Sequence, residues 1–194
     1  ITSDGDCILK GKVFNTAELY YALYPASAFG GLSDGNAVIN VPALQKLPHQ
    51  DSTKAATASA AVAMTHLKEF DFVSVASYIS FEVATDKVKS LTVRSNDDVA
   101  PAGTLPLSVA DGKILSATGD KSVTLTPAGS SFLPGTYYLQ VKPGAYPSGL
   151  SLDVEIENDE DMIIDVALPS EVQVGKIHHA GSIKSPFRSV EVSE

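Results

Sequence analysis

Apolar and polar residues alternate with a period of two along most of this chain. "GTYYLQVKPGAYPSGLSLDVEI", residues 135–156, shows it most clearly: the runs Tyr137 to Val141 and Leu150 to Ile156 flank a linker of Gly, Pro and Tyr. Successive strand side chains point to opposite faces, so this pattern predicts half-buried β-strands. It places Leu139, Val141, Leu152 and Val154 on one core, with Gln140, Lys142, Ser151 and Asp153 outward.

The same pattern recurs in "CILKGKV", in "AELYYALYP" up to Pro25, and in "AVINVPAL", which Pro42 confines to a sheet edge or strand end. "FDFVSVASYISFEV" (70–83) is a longer apolar stretch. "KVKSLTVRS", "GTLPLSVADG", "KSVTLTPAG", "GTYYLQVKP", "LSLDVEI" and "MIIDVAL" follow, each bounded by Gly, Pro, Asn or Asp. Short alternating runs at regular spacing predict an all-β chain, an antiparallel sandwich or barrel. Residues 52–68 are the exception. Their Ala content favours helix, yet they carry no helical stripe of large apolar side chains, so propensity leaves helix and strand open.

Composition narrows the function classes. The 194 residues suffice for one large or two small domains, and 44% hydrophobic with 19% charged residues is a globular balance. Lys plus Arg is 14 against 23 Asp plus Glu, a net charge of −9, and Arg94 and Arg188 are the only arginines. Nucleic-acid binding needs clustered cations, so no nucleic-acid partner is expected. An anionic bilayer would also repel this chain. Cys7 is the only cysteine, which excludes an internal disulfide and a Cys-based zinc site. No apolar h-region precedes it, so it reads as a small core residue of "CILKGKV" rather than a lipid anchor. The chain starts with Ile, and a matured or trimmed product is expected.

Candidate chemistry is sparse. His178 and His179 are adjacent, and neighbours on a strand face opposite ways, so they do not easily share a metal. "ENDEDM" (157–162) groups Glu157, Asp159, Glu160 and Asp161 but lacks the EF-hand pattern; it reads as an exposed turn, as does "SNDDVAPAG" (95–103) with Asp97 and Asp98. No Gly-x-Ser-x-Gly elbow or phosphate loop occurs. The expectation is no catalytic residue, no metal and no cofactor. A hydrolase would need a Ser–His–acid set or a carboxylate pair clustered in a pocket.

Four phrases taken together resemble the fimbrillin-like proteins of Bacteroidia, the pilus subunits and related lipoproteins of that group. They are "LKGKVFNTAELYYALYPAS", "FDFVSVASYISFEVATDKVKSLTVRSNDDVAPAGTLPLSV", "LPGTYYLQVKP" and "VGKIHHAGSI", in the family's order and across nearly the whole chain. The resemblance implies tandem transthyretin-like, Greek-key β-sandwich domains. We set a partial first domain at 1–70 and a fuller second at 71–194. The resemblance treats 55–63 as extended, which tips that segment toward strand. It also implies export by the lipoprotein route to the outer membrane, and assembly by inserting a strand of one subunit into a groove of the next. His178–His179 departs from the family's usual Tyr–Asn, and Cys7 does not match its lipid-anchoring cysteine.

The expected function is therefore a cell-surface fimbrial subunit or fimbrillin-like adhesin, not an enzyme. Its partners would be other fimbrial subunits, homo- or hetero-oligomeric, besides host or bacterial surface ligands. The acceptor edge is expected in the first domain. The candidate donor strand is the tail "SPFRSVEVSE", with Phe187, Val190 and Val192. The alternative is a carbohydrate-binding surface module with Tyr137, Tyr138 and Tyr146 as an exposed platform.

Overall fold

The computed structural model describes residues 20–24, 29–33, 36–49, 61–65, 72–107, 119–159 and 161–186. These residues contain strands and one short 3₁₀ turn, and no α-helix. In chain order the strands are β1 (Tyr20–Tyr24), β2 (Phe29–Ser33), β3 (Asn36–Val41), β4 (Leu44–Lys46), β5 (Ala61–Thr65), β6 (Val73–Ser74), β7 (Ser77–Val83) and β8 (Val88–Ser95). Then come β9 (Gly103–Leu107), β10 (Ser122–Thr126), β11 (Gly135–Val141), β12 (Gly144–Ala145), β13 (Leu150–Ile156), β14 (Ile163–Val166), β15 (Glu171–Val172) and β16 (Ile177–Lys184).

Two four-stranded sheets, ordered β13-β8-β10-β4 and β11-β7-β16-β14, share one core. The alternation explains why. Ile79, Phe81 and Val83 of β7, with Tyr137, Leu139 and Val141 of β11, are fully buried on one side. Leu91 and Val93 of β8, with Val123 and Leu125 of β10, are fully buried on the other. Burying each such side chain contributes roughly 1.5–3 kcal/mol. The fold is thus an all-β sandwich, as the period-two pattern predicts. It is not purely antiparallel: β4 runs parallel to β10, and β16 parallel to β7. Parallel neighbours need long crossovers, and here they come from distant parts of the chain, where local patterning carries no pairing information.

Smaller sheets are β1-β5-β6, β2-β3-β9 and β12-β15. Strand pairing crosses residue 70: β3 pairs with β9 and β4 with β10, and Ile39, Val41 and Leu47 join the same core. Within 52–68, residues 61–65 form β5, antiparallel to β1. The rest of that segment, the strand expected around Cys7 and the tail 187–194 lie outside the described residues.

Two side chains break the expected facing. Gln140 and Lys142, expected outward, are 3% and 2% exposed. Gln140 lies near the end of β11 and Lys142 one residue beyond it, where other segments cover the chain. The Gln45 amide of β4 donates to Gln140 O (2.7 Å) and accepts from Gln140 N–H (3.0 Å), standing in for a neighbouring strand. Lys142 N–H donates to Pro101 O at 2.8 Å. On β13, Leu152 and Val154 pack against the core but stay half-buried, because β13 is an edge strand among the described residues; Asp153 is exposed as expected.

The turn at 95–103 is more than a solvated loop. The Asp97 carboxylate accepts from Ser148 N–H (3.1 Å), the Ser95 hydroxyl (2.7 Å) and Val99 N–H (2.9 Å). These bonds, the Ser148 one foremost, hold its carboxyl below the usual range. Asp97 thereby ties the end of β8 to the turn before β13.

Candidate functional site: a polar groove on the outer sheet face

The outward face of the β11-β7-β16-β14 sheet is built from the residues that alternate with the core. Strand register sets them in two rows. In the first, Tyr138 stands opposite Ser80, and Ser80 opposite His179. In the second, Thr136 stands opposite Glu82, Glu82 opposite Ser182, and Ser182 opposite Asp165. Together with Ala167, Ala180 and Gly181 these residues line an open depression of about 490 Å³. That volume lies in the range of small-ligand sites.

A bulge in β16 brings the two rows into line. Ser80 and Glu82 are two residues apart on β7, whereas their partners His179 and Ser182 are three apart, the ladder shifting between His179 and Gly181. The extra residue lets both Ala180 and Ile183 enter the core while His179 and Ser182 stay on the groove side. Gly181 makes this possible. Its φ is +131°, and a Cβ there would lie 2.1 Å from Asp165 O. Only glycine satisfies both the backbone conformation and the contact.

The Ser80 hydroxyl lies 2.6 Å from His179 Nδ1. A serine against an imidazole in a depression that also holds Glu82 and Asp165 is what a hydrolase reading calls for. The remaining machinery is not assembled around it. Among the described residues no carboxylate reaches the other nitrogen of His179, and Ser80 itself is 2% exposed. β7 lies between β11 and β16, so its main-chain N–H groups serve the two ladders rather than an oxyanion. The contact fixes the imidazole over the sheet. His178 has a different partner, its Nε2 accepting from Gln173 N–H at 3.0 Å. No group of three or more His, Cys, Asp or Glu side chains among the described residues is placed to hold a metal.

The tyrosine platform is not formed. Tyr137 and Tyr146 are fully buried, and each hydroxyl donates to a carbonyl four residues back, Leu133 O at 2.6 Å and Lys142 O at 2.7 Å. The Tyr137 ring meets Phe132 edge-on at 4.6 Å. Burial, with the charge of Asp97 adding to it, pushes the Tyr146 phenol above its ordinary range. Tyr138, half-buried, alone of the three lines the groove. The donor residues Phe187, Val190 and Val192 lie outside the described residues.

Sequence reasoning did not single out Ser80, Glu82, Thr136, Asp165 or Ser182. The alternation in "SYISFEV" and "GTYYLQV" already marks the first three as outward. What it lacks is the parallel pairing of β7 with β16, which joins Ser80 to His179 across 99 positions.

A two-sheet β-sandwich with one polar, concave outer face is the class that fold and site define. No protein-family model matches the chain, and no curated protein matches it in sequence. Among solved structures it is similar to a crystal structure from Bacteroides ovatus ATCC 8483, described as a candidate cell adhesion protein. The TM-score is 0.52 at 14% identity, over 95% of this chain and 76% of that one. The likeness is one of fold.

Proposed function

We propose that this chain serves at the cell surface as an adhesin-like subunit of the fimbrial kind, non-catalytic, joined to its neighbours by β-strand addition. The observation that carries the reading is the β14 edge. Among the described residues β14 pairs on one side only, with β16, and its Ile163 and Ile164 are 44% and 47% exposed. An unpaired backbone edge beside exposed branched side chains is what an added strand covers. On the opposite edge, at β11, Gln45 covers the Gln140 main chain. We therefore set the acceptor at β14 rather than before residue 70. The adhesion role proposed for the Bacteroides ovatus protein agrees with this reading, as does the resemblance to fimbrillin-like subunits. The donor would be a neighbour's tail, in which Val190 and Val192 alternate with Ser189, Glu191 and Ser193, with Phe187 preceding them.

The test is deletion of residues 186–194, alongside Ile163→Lys in the full chain, with self-association read by analytical ultracentrifugation and stability by thermal melting. Loss of oligomers in both variants with monomer melting unchanged supports strand addition. A tail deletion that lowers monomer melting shows the tail to be part of its own sheet and overturns the donor role.

A further inference from the structure

We propose that the β11-β7-β16-β14 groove binds the terminal unit of a neutral surface glycan. This deepens the adhesive reading and rests on it only for biological use; the site stands on its own geometry. A pyranose presents one face of C–H groups and a rim of hydroxyls. Binding one from water takes an aromatic side chain for the C–H face and fixed hydrogen-bonding groups around it. The groove supplies both. Among the described lining residues Tyr138 is the only Phe, Tyr or Trp; it stands on β11 beside Thr136, with Glu82 on β7, His179 and Ser182 on β16, and Asp165 on β14 at the far side of the sheet. The groove is preformed, because its residues sit on paired strands and Ser80 holds His179. Fixed polar groups do not have to be ordered on binding, which removes part of the cost of association.

Charge decides the class of glycan. Glu82 and Asp165 face the depression, and no Lys or Arg is among the described residues of its lining. The chain carries −9 overall. Sialylated, sulfated or uronic units would meet like charge, whereas neutral hydroxyls can donate to both carboxylates. The depression is open and holds about 490 Å³, so it fits a terminal unit rather than an enclosed oligosaccharide. Lys184, two residues beyond Ser182 on β16, is exposed outside the lining.

The experiment titrates the full chain with methyl glycosides of glucose, galactose, mannose, fucose and N-acetylglucosamine. Sialyllactose and an Arg-containing peptide are the charged controls, and binding is read by NMR line broadening and calorimetry. At least one neutral glycoside should bind. Tyr138→Ala should weaken it at least about 10-fold, the loss of one stacked ring. Tyr138→Phe, which keeps the ring, should stay close to wild type. Melting of each variant checks that the sheet is intact. No binding by any neutral glycoside, tighter binding of sialyllactose or of the peptide, or binding unaffected by Tyr138→Ala overturns the proposal. Self-association reports on strand addition separately: Tyr138→Ala should leave it unchanged, so either proposal can fail without the other.

Discussion

The outer faces of the two main sheets are made by the same alternation and end up differently. On β13-β8-β10-β4 the polar side chains pair with one another. Thr92 and Thr124 share a hydrogen bond of 2.9 Å, the Ser90 hydroxyl donates to Glu155 at 2.8 Å, and Arg94 bonds Asp153 through two nitrogens. At the end of that sheet Lys121 pairs with Asp98. On β11-β7-β16-β14 the carboxylates of Glu82 and Asp165 face an open groove instead, and among the described residues the close polar pair there, Ser80 with His179, holds an imidazole in place. Composition does not separate the faces, since both carry Ser, Thr and acids. The difference is that the polar groups of one face pair with one another, whereas the carboxylates of the other stay open to solvent.

The largest expected effect comes from removing what shapes the second face. Gly181→Ala places a methyl against Asp165 O at a φ that side chains rarely adopt. Backbone strain of about 1–3 kcal/mol adds to an overpacking cost of similar size, so a loss of about 2–6 kcal/mol is expected in urea unfolding. The bulge should reset, moving His179 away from Ser80, and the imidazole resonances should shift. A change within a few tenths of a kcal/mol would mean the bulge relaxes freely and the groove is not built on it.

A smaller effect, opposite in sign, is expected at the covered end of β11. The Lys142 ammonium has no hydrogen-bond partner among the described residues and is buried. Desolvation holds its pKa below the ordinary lysine value of 10.5. The unfolded chain therefore binds more protons than the folded one between the two values, so stability rises with pH across that window. The cost is full below the folded value and vanishes above about 10.5. Lys142→Met keeps the shape and removes the buried amine, and should stabilise the fold by about 1–3 kcal/mol at neutral pH. The gain over wild type should shrink as pH is raised toward 10.5. A gain independent of pH would trace it to packing alone.

How much of this was legible follows from where the information lies. The inward residues of β7, β8, β10 and β11 could be read from local alternation, because burial repeats every second residue. The bulges could not. Glu155 pairs with Ser90 and Ile156 with Val88, leaving Lys89 over, as Ala180 is left over on β16. Gln140 and Lys142 were misassigned because their cover comes from Gln45 and Pro101, far away in sequence. Tyr137 and Tyr146 suggest a platform from sequence because Tyr is amphipathic. A carbonyl four residues back satisfies each hydroxyl and lets the whole ring be buried. The groove needed strand order, and strand order is not written in a local period.

The smallest expected effect tests the self-satisfied face. Arg94 and Asp153 are 2.6 Å apart, but their side chains are 52% and 57% exposed. Water and salt screen such a pair, and holding two long side chains in one geometry opposes the gain, so it contributes about 0–1 kcal/mol. A double-mutant cycle with Arg94→Ala and Asp153→Ala should give a coupling in that range, shrinking in high salt. Glycan binding on the opposite sheet should not change, because Ile79, Phe81, Leu91 and Val93 separate the two faces with a packed core. A coupling well above this range would show a cooperative network across β13, β8 and β10, linking Arg94–Asp153 to Ser90–Glu155 and Thr92–Thr124. That face would then carry part of the fold's stability, and the contrast with the open groove would be one of structure against binding, not merely of paired against unpaired side chains.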